Sequence, residues 1–268
     1  MRTIRYLAGV VVAVIIEFTS FASIAEQKVI ILGDDGYAPF SFIKNNQPQG
    51  IYVNILNEVF KKLEGYDVSF QMLPWKRSLN EIKRGTGFAV FPPYHFPKER
   101  PYMTPYSEPI LLEQVIAICH NKVLKNERKK WPEDYYGLKI GTNDGFLSPG
   151  PDFFSAAEQG RLSLIEATNT RSGLRMLLAR RTDCYVNAEM SIRWGLLRLR
   201  QAGLYDPGLD QLRFGAVIDA EWGYIGYTNT DNGAFPFKDD FIKKVNKIIR
   251  AMKADGSINQ IIEDFFEY

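Results

Sequence analysis

Only two cysteines, Cys119 and Cys184, and two histidines, His95 and His120, occur in 268 residues. No Cys/His cluster with structural zinc spacing is therefore available, and a dense disulfide framework is excluded. Charge of one sign is scarce too: 33 Lys plus Arg face 31 Asp plus Glu, a formal charge of +2. That balance builds no basic face, so no nucleic-acid partner is expected. Gly-x-Ser-x-Gly, a Walker loop, His-Glu-x-x-His and Cys-x-x-Cys are all missing, and neither metal nor cofactor is expected. What remains is 46% apolar and 24% charged, a globular composition that excludes disorder and a polytopic membrane protein.

Long hydrophobic runs are also lacking, with one short exception. Arg2 and Arg5 precede Leu7–Ile16, apolar apart from Gly9, and Ser23-Ile24-Ala25 offers small residues at the two positions a signal peptidase reads. The run is about half the roughly 20 residues of a membrane span, and Glu17 interrupts it. Residues 1–25 read as a secretory signal cleaved near Ala25, with a periplasmic, unlipidated product.

Beyond it, short β-branched runs alternate with stripes at helical spacing. Lys28–Leu32, Val68–Leu73 and Phe88–Phe91 read as strands, with helices over Ile51–Leu63 and Ser78–Lys83 between them. The grammar restarts at Val115–Cys119, with strands over Leu138–Gly141, Leu162–Ala167 and Cys184–Asn187 and a helix over Ser172–Ala179. A strand over Gly223–Thr228 and helices over Phe241–Ala254 and Ile258–Phe266 complete it, Gly256 ending one helix and Ser257 capping the next. The pattern predicts an α/β architecture of two tandem βα units, mainly parallel sheets flanked by helices. Without flexible linkers, extended crossings near Ile110–Gln114 and Val217–Glu221 would join the two lobes.

Several strings, in this order, resemble the family 3 extracellular solute-binding proteins. They are Tyr37-Ala-Pro-Phe-Ser-Phe42, Gln49-Gly-Ile-Tyr-Val-Asn-Ile-Leu56, Leu73-Pro-Trp-Lys-Arg77, Pro97-Lys-Glu-Arg100 with Tyr106-Ser-Glu-Pro109, Leu138-Lys-Ile-Gly141, Leu177–Asp183 and Met252–Gly256. The resemblance implies the type II periplasmic-binding-protein fold, with lobe 1 from residues 26–110 and 221–268, lobe 2 from 114–217, and a polar solute trapped between them. It also places Cys119 and Cys184 on neighbouring strands of lobe 2, which in an exported protein implies a disulfide; the facing of the two side chains stays open, because direction alternates along a strand.

The resemblance assigns Arg100 to the ligand carboxylate, a role its planar two-pronged donor suits. Asp34, at a strand end where α/β crevices open, would meet an ammonium or polar group. Tyr37, Trp75 and Tyr94 would flank the solute, while Phe40 and Phe42 read as core. Asn143–Ser148, including Phe146, matches the turn whose amides cradle a carboxylate, and Pro149 and Pro151 can start the helix after it. Two departures stand out. Phe91-Pro-Pro-Tyr-His95 replaces a Gly/Thr donor stretch, deleting two amide donors and leaving His95 as either a replacement donor or a surface residue. Ala188 occupies the place of an ammonium-binding Asp, so Asn187 or Glu189 must substitute. The expected activity is non-enzymatic: a monomeric binding protein that delivers an amino acid or small carboxylate to the membrane permease of an ABC transporter, or docks on a receptor ectodomain. A cyclohexadienyl-dehydratase-like enzyme, working through Asp34, His95 or Glu189, is the alternative.

Overall fold

The computed structural model describes residues 26–267; the expected signal segment lies outside them. The chain begins with β1 (Gln27–Asp34), whose last residues are buried on both faces, followed by a small antiparallel meander of β2 (Gly36–Tyr37), β3 (Ser41–Lys44) and β4 (Gln47–Gln49). Helix α1 (Ile51–Lys61) then buries Ile51, Tyr52, Ile55, Leu56 and Val59, the stripe its periodicity predicts. Gly50, before it, has φ 128° and approaches Phe40 so closely that a Cβ would lie 2.3 Å from the Phe40 carbonyl oxygen. Only glycine admits that approach, which seats α1 against the Tyr37–Phe40 turn.

Strand β5 (Tyr66–Leu73), helix α2 (Trp75–Arg84), and strands β6 (Ala89–Phe91) and β7 (Met103–Tyr106) complete the first pass through lobe 1. The chain crosses along β8 (Leu111–His120) to lobe 2, built from β9 (Lys139–Asn143), α3 (Pro151–Glu158), β10 (Ser163–Ala167), α4 (Thr170–Leu178), β11 (Cys184–Ala188), α5 (Glu189–Gln201) and α6 (Pro207–Asp210). It returns along β12 (Leu212–Gly223) to β13 (Gly226–Thr228), α7 (Lys238–Ala254) and α8 (Ser257–Glu267).

Each lobe has one five-stranded sheet, in the orders β5-β1-β6-β13-β7 and β10-β9-β11-β8-β12. In each, four strands run one way and one, β13 in the first sheet and β8 in the second, runs against them. Strand β8 shows why the second sheet is covered on both faces. Val115, Ala117 and Cys119 pack towards Tyr135 and Phe153, whereas Ile116 and Ile118 pack towards Leu174, Tyr185 and Ile192, as a period of two requires. Cys119 stands opposite Cys184 in the β8–β11 register, and the two are joined by a disulfide.

Both crossings are ends of strands. Leu111 pairs with Gly223 and Glu113 with Glu221, antiparallel, and the β12 register shifts between Phe214 and Asp219. Gly256, at φ 81°, ends α7. Ser257 is the first residue of α8, and its hydroxyl donates to Asp255 Oδ1 at 2.5 Å, so it acts on the turn behind it and not as an acceptor for the helix ahead. Among the described residues, no helix is long and apolar enough to cross a membrane.

Candidate functional site

Strand ends and the loops after them converge between the lobes, where a small space of about 20 Å³ is walled by Asp34, Tyr37, Trp75, Tyr94 and Arg100 from lobe 1 and by Phe146-Leu147-Ser148 from lobe 2. That is room for about one water. The lobes touch across it. Arg100 Nη2 donates to the Gly145 carbonyl at 2.8 Å, Ser191 Oγ donates to the Ala38 carbonyl at 2.7 Å, and Lys76 pairs with Asp144 at 3.0 Å. This is a closed arrangement, and a space of this volume could hold a group of amino-acid size only if Gly145 and Phe146 stood farther from Arg100.

The aromatic wall is continuous. Phe146 stands edge-on to Tyr37 at 5.1 Å and to Trp75 at 6.2 Å between ring centroids. The Arg100 guanidinium lies 5.5 Å from the Trp75 ring and 6.0 Å from Phe96. Burial lowers its pKa from the ordinary arginine value, and only one of its donors meets a hydrogen-bond acceptor across the cleft. Opposite in charge, Asp34 accepts from the Gly36 amide at 2.8 Å, and burial, with Asp35 adding repulsion, pushes its carboxyl to about 7. A desolvated guanidinium and a desolvated carboxyl on one aromatic-walled space can hold the two ends of a zwitterion or a doubly polar solute. Ser148 adds a buried hydroxyl without a partner.

Asn143 and Asn187 sit beneath this wall. Tyr185 donates to Asn143 Oδ1 at 2.6 Å, Asn187 Nδ2 reaches the Tyr185 oxygen at 2.7 Å, and both asparagines approach Thr170 Oγ1. The Asp34 carboxylate is among the groups that raise the Tyr185 pKa, so this network faces Asp34 from the other lobe. Two expected residues stand elsewhere. His95 is exposed and packs edge-on to Tyr106 at 4.6 Å, because the chain after Tyr94 turns outward. Glu189 opens α5 and pairs with Arg193 one turn on, at 2.5 Å, so its carboxylate is committed within its own helix. Pro151 begins α3, behind Gly150. Phe40 is wholly buried and Phe42 half-buried on the meander.

The sequence reading missed Glu113. It is buried, and it accepts hydrogen bonds from the hydroxyls of Tyr37, of Tyr52 at 2.7 Å and of Tyr94 at 2.7 Å. Burial raises its pKa to about 7 against the lowering effect of those donors. The signal was present: an acidic residue on the same strand face as Val115, Ala117 and Cys119 points inward and requires partners. A wider groove of 1110 Å³ lies on another flank, between the meander, α1 and α8 on one side and α4 and α5 on the other. Its charged side chains are exposed or half-exposed, so it lacks the desolvated polar groups that distinguish the smaller space.

The family model for bacterial extracellular solute-binding proteins, family 3, matches residues 29–268. No curated protein matches the chain. Among solved structures, an ancestral arginine-binding protein bound to arginine superposes with a TM-score of 0.70 at 18% identity, over 90% of this chain and 99% of its own. A substrate-binding protein of an ABC uptake transporter from Streptococcus pneumoniae, with bound histidine, gives 0.69 at 17% identity, over 90% and 93%. A histidine kinase sensor domain with similarity to periplasmic binding proteins gives 0.70 at 18% identity, over 90% and 96%.

Proposed function

The chain belongs to the bacterial extracellular solute-binding proteins, family 3, and from that premise we propose that its two lobes close over a small polar solute, an amino acid or related carboxylate, as a non-catalytic receptor. One observation carries the reading: Arg100 and Asp34, both desolvated, stand on lobe 1 around a space that lobe 2 seals with Phe146 and Ser148. Arg100 takes the solute carboxylate, and Asp34 takes its ammonium or a second polar group, in place of the acid that Ala188 does not supply. Tyr37, Trp75 and Phe146 cover the apolar part. Lobe boundaries follow the crossings, with residues 26–110 and 221–268 against 114–217.

The product is exported and hands its solute to the permease of an ABC importer, in keeping with the uptake-transporter relative. The sensor-domain relative favours the second reading, in which the closed form docks on a receptor ectodomain. A thermal-shift screen of L-arginine, L-lysine, L-histidine, L-glutamine and small dicarboxylates tests the solute class. At 100 times its Kd, a binder stabilises by about 2.7 kcal/mol; no shift with any of these compounds would refute the class.

A further inference from the structure

Glu113 does not line the solute space, yet among the described residues it is the most heavily hydrogen-bonded buried carboxyl, accepting from three side-chain hydroxyls. It sits on β8 where the chain crosses, and Tyr37 and Tyr94 share its Oε2 while Tyr52 takes Oε1. The Tyr37 and Tyr94 hydroxyls are also 2.9 Å apart. Among the described residues no cation pairs with it, as the ion pairs all lie elsewhere. Its titratable surroundings are the three tyrosines, from β2, α1 and the loop after β6, with Glu221 opposite it in the register of β12 and Tyr224 just beyond.

Two of those tyrosines are walls of the solute space, and the third is not. The return crossing is drawn in as well. Tyr94 bridges to Gly223, and a Cβ on Gly223 would lie 1.8 Å from the Tyr52 hydroxyl, so only glycine there lets Tyr52 reach Glu113. One carboxyl thus holds the aromatic wall from behind and both crossing strands from the side. A buried carboxyl without a cation is costly, and an apolar residue in its place would leave three tyrosine hydroxyls without their acceptor.

We propose that Glu113 is a positioning residue of the solute cleft: by tying the hydroxyls of Tyr37 and Tyr94 to β8, it couples the place of the aromatic wall to the bend between the lobes. This rests on the solute-binding reading. A solute that presses on the Tyr37 and Tyr94 rings moves their hydroxyls, and Glu113 passes the displacement to the strand on which closure depends. The lobe 1 end of β8 is held by Tyr37 and Tyr52, so the bend falls on the lobe 2 side of Glu113.

The test uses spin labels at Lys83→Cys on α2 and Arg161→Cys before β10, with the Cys119–Cys184 disulfide intact, to read the distance between lobes in the protein as purified. Glu113→Gln keeps the shape but reverses one hydrogen bond. Tyr52→Phe removes a donor without altering the cavity wall. Both are expected to shift the open and closed populations in the same direction by about threefold or more, with thermal unfolding still cooperative. The Cζ resonances of ¹³C-labelled Tyr37 and Tyr94 should move in the Tyr52→Phe variant, although Tyr52 does not line the solute space. Unchanged distance distributions in both variants, with unmoved resonances, would overturn the proposal. If L-arginine or L-histidine binds the wild type, Glu113→Gln should bind it about tenfold more weakly, and equal affinity would also overturn it. Failure of every amino acid to bind the wild type counts against the solute class and leaves the lobe-distance result to decide on Glu113.

Discussion

In the proposed reading Arg100 and Asp34 carry the recognition chemistry, and each supports a distinct measurement. Lysine at position 100 would keep the charge but lose the planar fork that spans from the Trp75 face to the opposite lobe, forfeiting about 1.5 to 3 kcal/mol of charged hydrogen bonding. Arg100→Lys is therefore expected to weaken binding of the solute found by the thermal screen by roughly 10- to 100-fold at unchanged fold, checked by calorimetry and circular dichroism. For Asp34 the prediction concerns pH. Its folded pKa of about 7 lies well above the ordinary carboxylate value of 3.8, so the stabilisation from its proton is complete below about pH 4 and is lost as pH rises through 7. Asp34→Asn should therefore match the wild type near pH 4 and exceed it at pH 8 by on the order of 2 to 4 kcal/mol in scanning calorimetry. A gap of the opposite sign would show that the carboxylate is held by partners rather than penalised by burial. The resemblance singled out Asp34, Tyr37, Trp75 and Arg100, and the structure brings all four to the walls of one space; of these, the strand-end position of Asp34 was legible without it. Strand alternation put Glu113 on an inward face, but its partners were not legible, since they are hydroxyls 61 and 76 residues away along the chain, and the two readings of His95 stayed open because a histidine in a loop says nothing of the direction in which the loop turns.

At the level of elements, local periodicity was a good guide wherever one face of a helix or both faces of a strand are buried. Ile51–Lys61 and Lys238–Ala254 have regular apolar stripes, and both were readable to within a few residues. Helix α5 was not, because Glu189–Gln201 buries only Ser191, Ile192 and Leu199 and leaves Trp194, Leu196 and Leu197 half-buried or exposed among its arginines. Strand β12 was equally obscure: its register shifts break the alternation between Phe214 and Asp219, leaving only its Val217–Glu221 part recognisable as extended. The disulfide between β8 and β11 is an element-scale staple that closes a separation of 65 residues, for which loop-closure entropy suggests about 4 kcal/mol. Reduction, or Cys119→Ala with Cys184→Ala, should lower the Tm by about 10 °C without opening lobe 1. Two free thiols in the unfolded, unreduced protein would contradict the bond.

The whole molecule follows from a chain that leaves lobe 1 along β8 and returns along β12, so that two hydrogen-bonded crossings lie side by side. Such a ribbon bends readily but resists sliding, and its bend is absorbed where the register already shifts. Gly145 and Phe146 lie against Arg100 and Trp75, so in the proposed reading a solute is admitted first and the closed form is then selected by what it encloses. Small-angle scattering tests this central claim most directly, using the compound that gives the largest thermal shift. At saturation the radius of gyration should fall to about 18 Å, the value for a compact chain of this length, from a larger value in the solute-free protein. An unchanged radius, with unchanged Trp75 fluorescence against a Trp75→Phe control, would contradict closure over a solute.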